Sequence, residues 1–433
     1  MTRLALAVLV LVGLASPVAA DVAVVRRVLP NGMTVLVRED PDVGVVAASL
    51  QVRAGSLFET KATAGITNFT QRVLLRGTEK RSALGIVEAI EEIGGSLEAS
   101  GEVESAEIRG AAIARQWEPL LGLLAEVVLE PTFPAAEVER ERRLLLGQLQ
   151  TRADNPFPRA FDTALRDLYG SHPYAWPALG RPESVTQISR EALVAHYRAI
   201  YRPDRMVLAV SGNAPRAAVV AAAERLFRRL PSAAGLPTSP SVEPTPRTEP
   251  RVVERDARQA QVLLGFLAPP VIHGDYAAVR VLAMVLGGGM SSRLFTELRD
   301  RRGLAYSVGV LATARTGPAF LVPYLGTAPV NADAALAGML AEVERIRGEA
   351  IGEQELARAR AYLLGTLAMD RRTSARLAWH LAFYELIGAG WDWPQRFARA
   401  VEAVTVADVA RVAQRYLVRP TVVVLRPPKE GGG

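Results

Sequence analysis

Two segments of the chain, more than two hundred residues apart, repeat one pattern. Arg190–Val210 reads REALVAHYRAIYRPDRMVLAV and Ala407–Leu425 reads ADVARVAQRYLVRPTVVVL. Each is a helix, an Arg-Pro pair and a β-branched strand. Pro203 and Pro420 end the helices, because proline lacks an N–H and its ring clashes with the preceding turn. A unit recurring at this distance implies a duplicated fold and confines the chain to two similar halves.

The divider is PSAAGLPTSPSVEPTPRTEP, Pro231–Pro250, which is rich in Pro and Ser and has neither helix nor strand period. It sets the expected domains at residues 21–230 and 251–433, with a linker over 231–250. A chain of 433 residues is too long for one ordinary core, which agrees with two. Met33–Glu39, Ala47–Ser56 and Ala260–Pro269 read as strands. Gln116–Glu130, Asp275–Gly289 and Gly352–Arg372 read as helices. Strands and helices of this kind within each half predict an α+β fold, an α/β sandwich with helices on one face of each sheet.

The first 20 residues, MTRLALAVLVLVGLASPVAA, stand apart. One positive charge (Arg3), an apolar run from Leu4 to Leu14 and small residues at the end form a secretory signal, with cleavage expected after Ala20. The run is too short for a spanning helix, and no later stretch is long enough. The expected destination is a bacterial periplasm. With no cysteine the chain has no disulfides and no thiol nucleophile. The net charge of +6 is spread without a basic block, which argues against a nucleic-acid partner.

The segment NFTQRVLLRG, Asn68–Gly77, reads as an amphipathic helix after a glycine turn at Ala64-Gly65, with Gly77-Thr78 as its stop. With its surroundings, Ala64–Ser82, it resembles the pitrilysin/insulinase family, which includes the mitochondrial processing peptidase. That family is written around G-x-A-H-F-x-E-H-x-x-F-K-G-T; Gly65, Phe69, Arg76, Gly77 and Thr78 fit. Three further stretches extend the resemblance over nearly the whole mature chain. Gly85–Ala112 resembles the family's G-G-x-x-N-A segment, with Glu98 in place of the Asn. Leu168–Val185 resembles its H-P-Y-x-x-P-x-x-G loop. Leu286–Val310, LGGGMSSRLFTELRDRRGLAYSVGV, is similar to its second-half sequence.

The resemblance implies two halves closing as a clamshell, and it carries chemistry to particular positions. In the inverted zinc motif H-x-x-E-H, two histidines one helical turn apart hold Zn²⁺ and the glutamate takes a proton from the metal-bound water. Here that motif reads Asn68-Phe69-Thr70-Gln71-Arg72. The family's third ligand is a glutamate in an E-R-E-R-x-V-V-x-x-E run, which appears as ERERRLLLGQ, Glu139–Gln148, with Gln148 at the ligand position. Asn68, Arg72 and Gln148 thus replace all three ligands, and Gln71 replaces the base. Amides are poor zinc ligands, and Arg72 puts a permanent positive charge where a dication would sit. His172, His196, His273 and His380 have no ligand-like spacing and read as packing or surface residues.

The first half has lost its metal site, but the second half keeps the pair that the family uses on such a site. The family's substrate-binding Arg and Tyr, seven residues apart, correspond to Arg299 and Tyr306. Both are donors suited to a scissile carbonyl or the oxyanion derived from it. Gly287, Gly288 and Gly289 end a helix and lack a following Gly-Lys-Ser/Thr, so they read as a C-cap. No serine sits in a G-x-S-x-G elbow. The expectation is a chain without autonomous activity and without its own metal. Zinc would lie in a homologous partner bearing H-x-x-E-H, and an extended or unfolded peptide would be the substrate. Arg299 and Tyr306 would act in trans on that partner's site. The alternative is a catalytically inert peptide-binding or scaffold protein of the same fold.

Overall fold

A computed structural model describes residues 23–230 and 242–428. The expected signal peptide and its cleavage site lie outside these residues, as do positions 231–241 of the linker. Residues 242–250 run without helix or strand.

The described residues form two sheets. The first contains β1 (Val24–Val28), β2 (Thr34–Glu39), β3 (Val45–Val52), β4 (Ser96–Gly101), β5 (Ala106–Ile113) and β6 (Met206–Gly212). The second contains β7 (Arg251–Glu254), β8 (Ala260–Ala268), β9 (Ser307–Ala312), β10 (Ala319–Thr327) and β11 (Thr421–Arg426). Their orders are β1-β2-β6-β3-β5-β4 and β7-β11-β8-β10-β9. Without β1 the two orders superpose strand for strand. The repeated helix–Arg-Pro–strand unit supplies β6 and β11. Each is parallel to one neighbour, β2 or β7, and antiparallel to the other, β3 or β8. All other pairings are antiparallel, as expected for the α+β class.

Alternation along the strands assigns each face. Val35, Val37, Leu208 and Val210 point to the helices of their own half, with Leu120, Leu124 and Phe69 in the same core. Their neighbours Leu36, Val207 and Ala209 point the other way, and a helix of the second half, Ser374–Leu386, covers them through Ala378, Leu381, Ala382 and Leu386. The second sheet is treated the same way. Val262, Leu264, Val422 and Val424 face its own helices. Leu263, Val423 and Leu425 face Pro156–Tyr169, a helix of the first half, through Ala160, Ala164 and Leu168. Each half therefore covers one face of its sheet itself and receives the cover of the other face from its partner half.

The two edge hairpins also meet. Glu104, in the β4–β5 turn, accepts from the Thr316 backbone N–H (2.9 Å) and hydroxyl (2.6 Å) in the β9–β10 turn. The Tyr174 hydroxyl donates to the same carboxylate and accepts from the Gly317 N–H at 3.2 Å. Tyr174 belongs to the H-P-Y loop, which thus helps join the halves.

Candidate functional site

The helix expected over Asn68–Gly77 spans Ile66–Leu74. Gly65 starts it at φ 92°, in the left-handed region that suits glycine, and a Cβ there would lie 2.7 Å from Gly180 Cα. The Glu59 carboxylate caps the start, accepting from the N–H groups of Gly65 (2.7 Å) and Thr67 (2.9 Å). Burial raises the Glu59 pKa, and these bonds oppose the rise. Phe69, Val73 and Leu74 enter the core and fix the rotation of the helix, which aims Asn68 and Arg72 at Ala135–Asp154, the long helix carrying Gln148.

The three expected ligand positions come together. Arg72 Nε donates to Asn68 Oδ1 at 2.9 Å, and Arg72 Nη2 donates to Gln148 Oε1. The Asn68 amide donates to the Gly101 carbonyl at the end of β4 (3.2 Å). A guanidinium thus takes the middle of the cluster, and two amide oxygens turn toward it. This donor set does not fit zinc: the charge at its centre has the metal's own sign, and both flanking groups are neutral. Among the described residues no group of three or more His, Cys, Asp or Glu could hold a metal ion.

One acidic residue balances this site and was not singled out from the sequence. Glu141 is 2% exposed, with Arg76 Nε 2.8 Å and Arg72 Nη1 3.7 Å from its carboxylate. Seven residues before Gln148, it lies two helical turns away on the same face, which is the signal that could have found it. Gln71, at the base position, is fully buried. It donates to the Tyr201 hydroxyl (2.8 Å), and its own oxygen lies 3.0 Å from that hydroxyl. Burial raises the Tyr201 pKa, so the phenol stays protonated. Nothing local in the sequence announces a bond between residues 71 and 201. A cavity of about 700 Å³ on the helical side includes Tyr201 in its lining, but not Asn68, Gln71 or Arg72.

The remaining candidates lie as follows. Glu98 stands on edge strand β4 directly opposite Arg109 and forms an ion pair with it. His196 lies 3.0 Å from the Thr67 hydroxyl, and burial pushes its pKa down to about 4. His172 and His380 are buried, the latter against Asp370 at 2.7 Å. The glycine run closes the helix Tyr276–Gly287, with Gly288 as its cap.

Arg299 lies on a short π-helix, Phe295–Arg301, an arrangement that recurs at functional sites. It is exposed, and its guanidinium stacks at 4.9 Å over Phe295. Tyr306 lies just before β9 and is 62% exposed, not half-buried as a packing role requires. Among the described residues neither side chain has a hydrogen bond or an ion pair.

Comparison with known proteins places these features in a family. A family model described as insulinase (peptidase family M16) matches residues 34–181, and one described as peptidase M16 inactive domain matches residues 187–363. An uncharacterized zinc protease of Mycobacterium bovis is 31% identical over 93% of this chain and 92% of its own length. Another from Mycobacterium leprae is 30% identical over 92% and 90%. A solved peptidase M16 inactive domain from Pseudomonas fluorescens superposes with a TM-score of 0.86 at 24% identity, covering 93% of this chain and 98% of that one. A protease from Helicobacter pylori gives 0.87 at 21% identity, covering 94% and 99%. Duplicated sheets, helix and loop segments in matching places, and relatives aligned from end to end all agree: the chain belongs to the insulinase family, peptidase family M16.

Proposed function

We propose that the chain is the non-catalytic subunit of a heterodimeric, exported zinc peptidase. A homologous subunit with an intact H-x-x-E-H supplies zinc and base. This chain supplies half of the peptide chamber and presents Arg299 and Tyr306 to the partner's site. The observation carrying this reading is an asymmetry. Arg72 fills the centre of the first-half site and is bonded to both other ligand positions, whereas Arg299 and Tyr306 are exposed and, among the described residues, have no hydrogen bond or ion pair, Arg299 only stacking on Phe295. Exposed polar side chains that do nothing for the fold are available for substrate, and a guanidinium and a phenol are suited to a developing oxyanion. The description of several relatives as zinc proteases supports a proteolytic setting. The N-terminal stretch acts in this reading as an export signal.

The test is an assay of the pure chain, the pure partner and their mixture on an unstructured peptide. The mixture alone should be fully active, and Arg299→Ala or Tyr306→Phe should depress it. A mixture indifferent to both substitutions rejects the role in trans and leaves an inert peptide-binding or scaffold protein.

A further inference from the structure

Two hollows near the start of the Asn68 helix share a sill. The first, about 210 Å³, is lined by Val103, Phe161, Leu165, Trp176, Leu179 and Phe320 among others. It takes residues from both halves: Val103 follows β4, and Phe320 lies on β10. The second, about 470 Å³, continues past Trp176, Pro177, Arg152 and Asp162, which line both. The bidentate Arg152–Asp162 pair, at 2.8 and 2.7 Å, forms the sill. Arg152 stands one helical turn beyond Gln148, and Gly180, which lines the second hollow, contacts the Gly65 start of the Asn68 helix. The groove therefore reaches the helix that carries Gln148 and the start of the helix that carries Asn68 and Arg72.

The two hollows differ in chemistry. The first is lined mainly by aromatic and aliphatic side chains, with Arg152, Asp162 and Arg315 as its charged members, and its volume falls below the ~300 Å³ at which pockets begin to hold whole small molecules. It suits one large apolar side chain. The second is lined by Lys61, Arg152, Arg159, Arg166 and Arg181 against two carboxylates, Asp162 and Glu183. Both carboxylates are already engaged, Asp162 by Arg152 and Glu183 by Arg181 at 3.4 Å. Arg181 also stacks on Trp176 at 5.4 Å. Lys61, Arg159 and Arg166 have no carboxylate within ion-pair distance among the described residues.

We propose that this groove is a specificity site for an extended peptide in which a large apolar side chain adjoins acidic ones. The apolar residue enters the hollow between the halves, and its acidic neighbours meet Lys61, Arg159 and Arg166. Cationic walls raise the local concentration of such a peptide, and the half-open hollow selects by apolar area. The inference rests on the reading of the chain as half of a peptide chamber, but it is tested without the partner.

The experiment titrates the mature chain with three capped tripeptide amides, N-acetyl-Glu-Phe-Glu, N-acetyl-Glu-Ala-Glu and N-acetyl-Lys-Phe-Lys. The first should bind roughly tenfold or more tightly than either of the others. Leu165→Trp and, separately, Leu179→Trp fill the hollow and should remove the preference for Phe over Ala. Reversing the exposed charges, Arg159→Glu with Arg166→Glu, should abolish the preference for Glu over Lys while thermal stability holds. Equal affinity for the Phe and Ala probes, no measurable binding of the first probe, or titrations unmoved by both filling substitutions overturn the proposal. A mixture assay indifferent to Arg299 and Tyr306 rejects the role in trans without altering these titrations, so the two failures are distinguishable.

Discussion

The Arg72 guanidinium donates to the Asn68 amide oxygen at 2.9 Å, one turn back along the same helix. In the proposed reading these positions correspond to metal ligands of active relatives; here one side chain is a cation and the other accepts its hydrogen bond, so a positive charge stands at the centre of the cluster without a metal.

The first prediction concerns that substitution. Arg72→Ala removes the centre of the cluster and leaves the buried Glu141 carboxylate to Arg76 alone. It should lower stability by about 1–2 kcal/mol, the range for a partly buried charged network. Chelator should leave the melting temperature of the wild-type chain unchanged, since a ligand that is not bound cannot contribute by mass action. Calorimetry with and without chelator, and elemental analysis after dialysis against zinc, check both statements.

Gln71 gives the second. Its amide is fully buried and bonded to Tyr201, so Tyr201→Phe strands a buried polar group at a cost of about 1–3 kcal/mol. Gln71→Glu restores the family's acid but places a carboxyl with no metal to act on. The variant should be less stable at neutral pH and still fail to hydrolyse peptide. Hydrolysis by that single variant would contradict the assignment of Asn68, Arg72 and Gln148 as disabled ligand positions.

Arg299 and Tyr306 should behave in the opposite way. Both are exposed and unbonded, so Arg299→Ala and Tyr306→Phe should each change stability by no more than about 0.5 kcal/mol. In the reconstituted mixture each should cost about 10²-fold in kcat, as removal of an oxyanion donor does. Denaturation curves paired with turnover measurements separate this from a folding defect.

Histidine titration sets the acid limb of stability. Burial holds His196 and His380 down at about 4, against about 6.5 in an unfolded chain. As pH falls the unfolded chain takes up these protons first, so stability present above about 6.5 is lost progressively toward about 4. Glu59 and Glu107 are raised by burial and act in the reverse sense, their protonation favouring the folded chain as pH falls. His196→Gln should remove about 1–3 kcal/mol of the loss between those two pH values. Urea titrations of both proteins across that range should therefore show the stability difference shifting in favour of the variant by that amount as pH falls.

Much of this was legible in the sequence. The helix–Arg-Pro–strand repeats announced two matched sheets because they are local patterns. The motif spacing singled out Asn68, Arg72 and Gln148, and those three side chains meet in the structure. Glu141 was visible only as one acid in a charged helix until its burial singled it out. The Gln71–Tyr201 bond and the meeting of Glu104 with Thr316 join residues more than a hundred positions apart, and such pairings leave no period to read. The crossing helices were hidden for the same reason: Ser374–Leu386 looks like any amphipathic helix, and nothing in it says which sheet it covers.

That crossing imposes an order on synthesis. The strands of the first sheet are all made by residue 212, but the helix that covers Leu36, Val207 and Ala209 ends at residue 386. Until then a nascent chain presents an apolar sheet face with no occupant, the kind of surface that aggregates or recruits a chaperone. Contacts at such separation also slow folding, because the loop must close before it is rewarded. The second sheet has the easier course, since its borrowed helix, Pro156–Tyr169, is already made when its strands appear. The duplicated halves, alike in topology, are therefore unlike as folding problems.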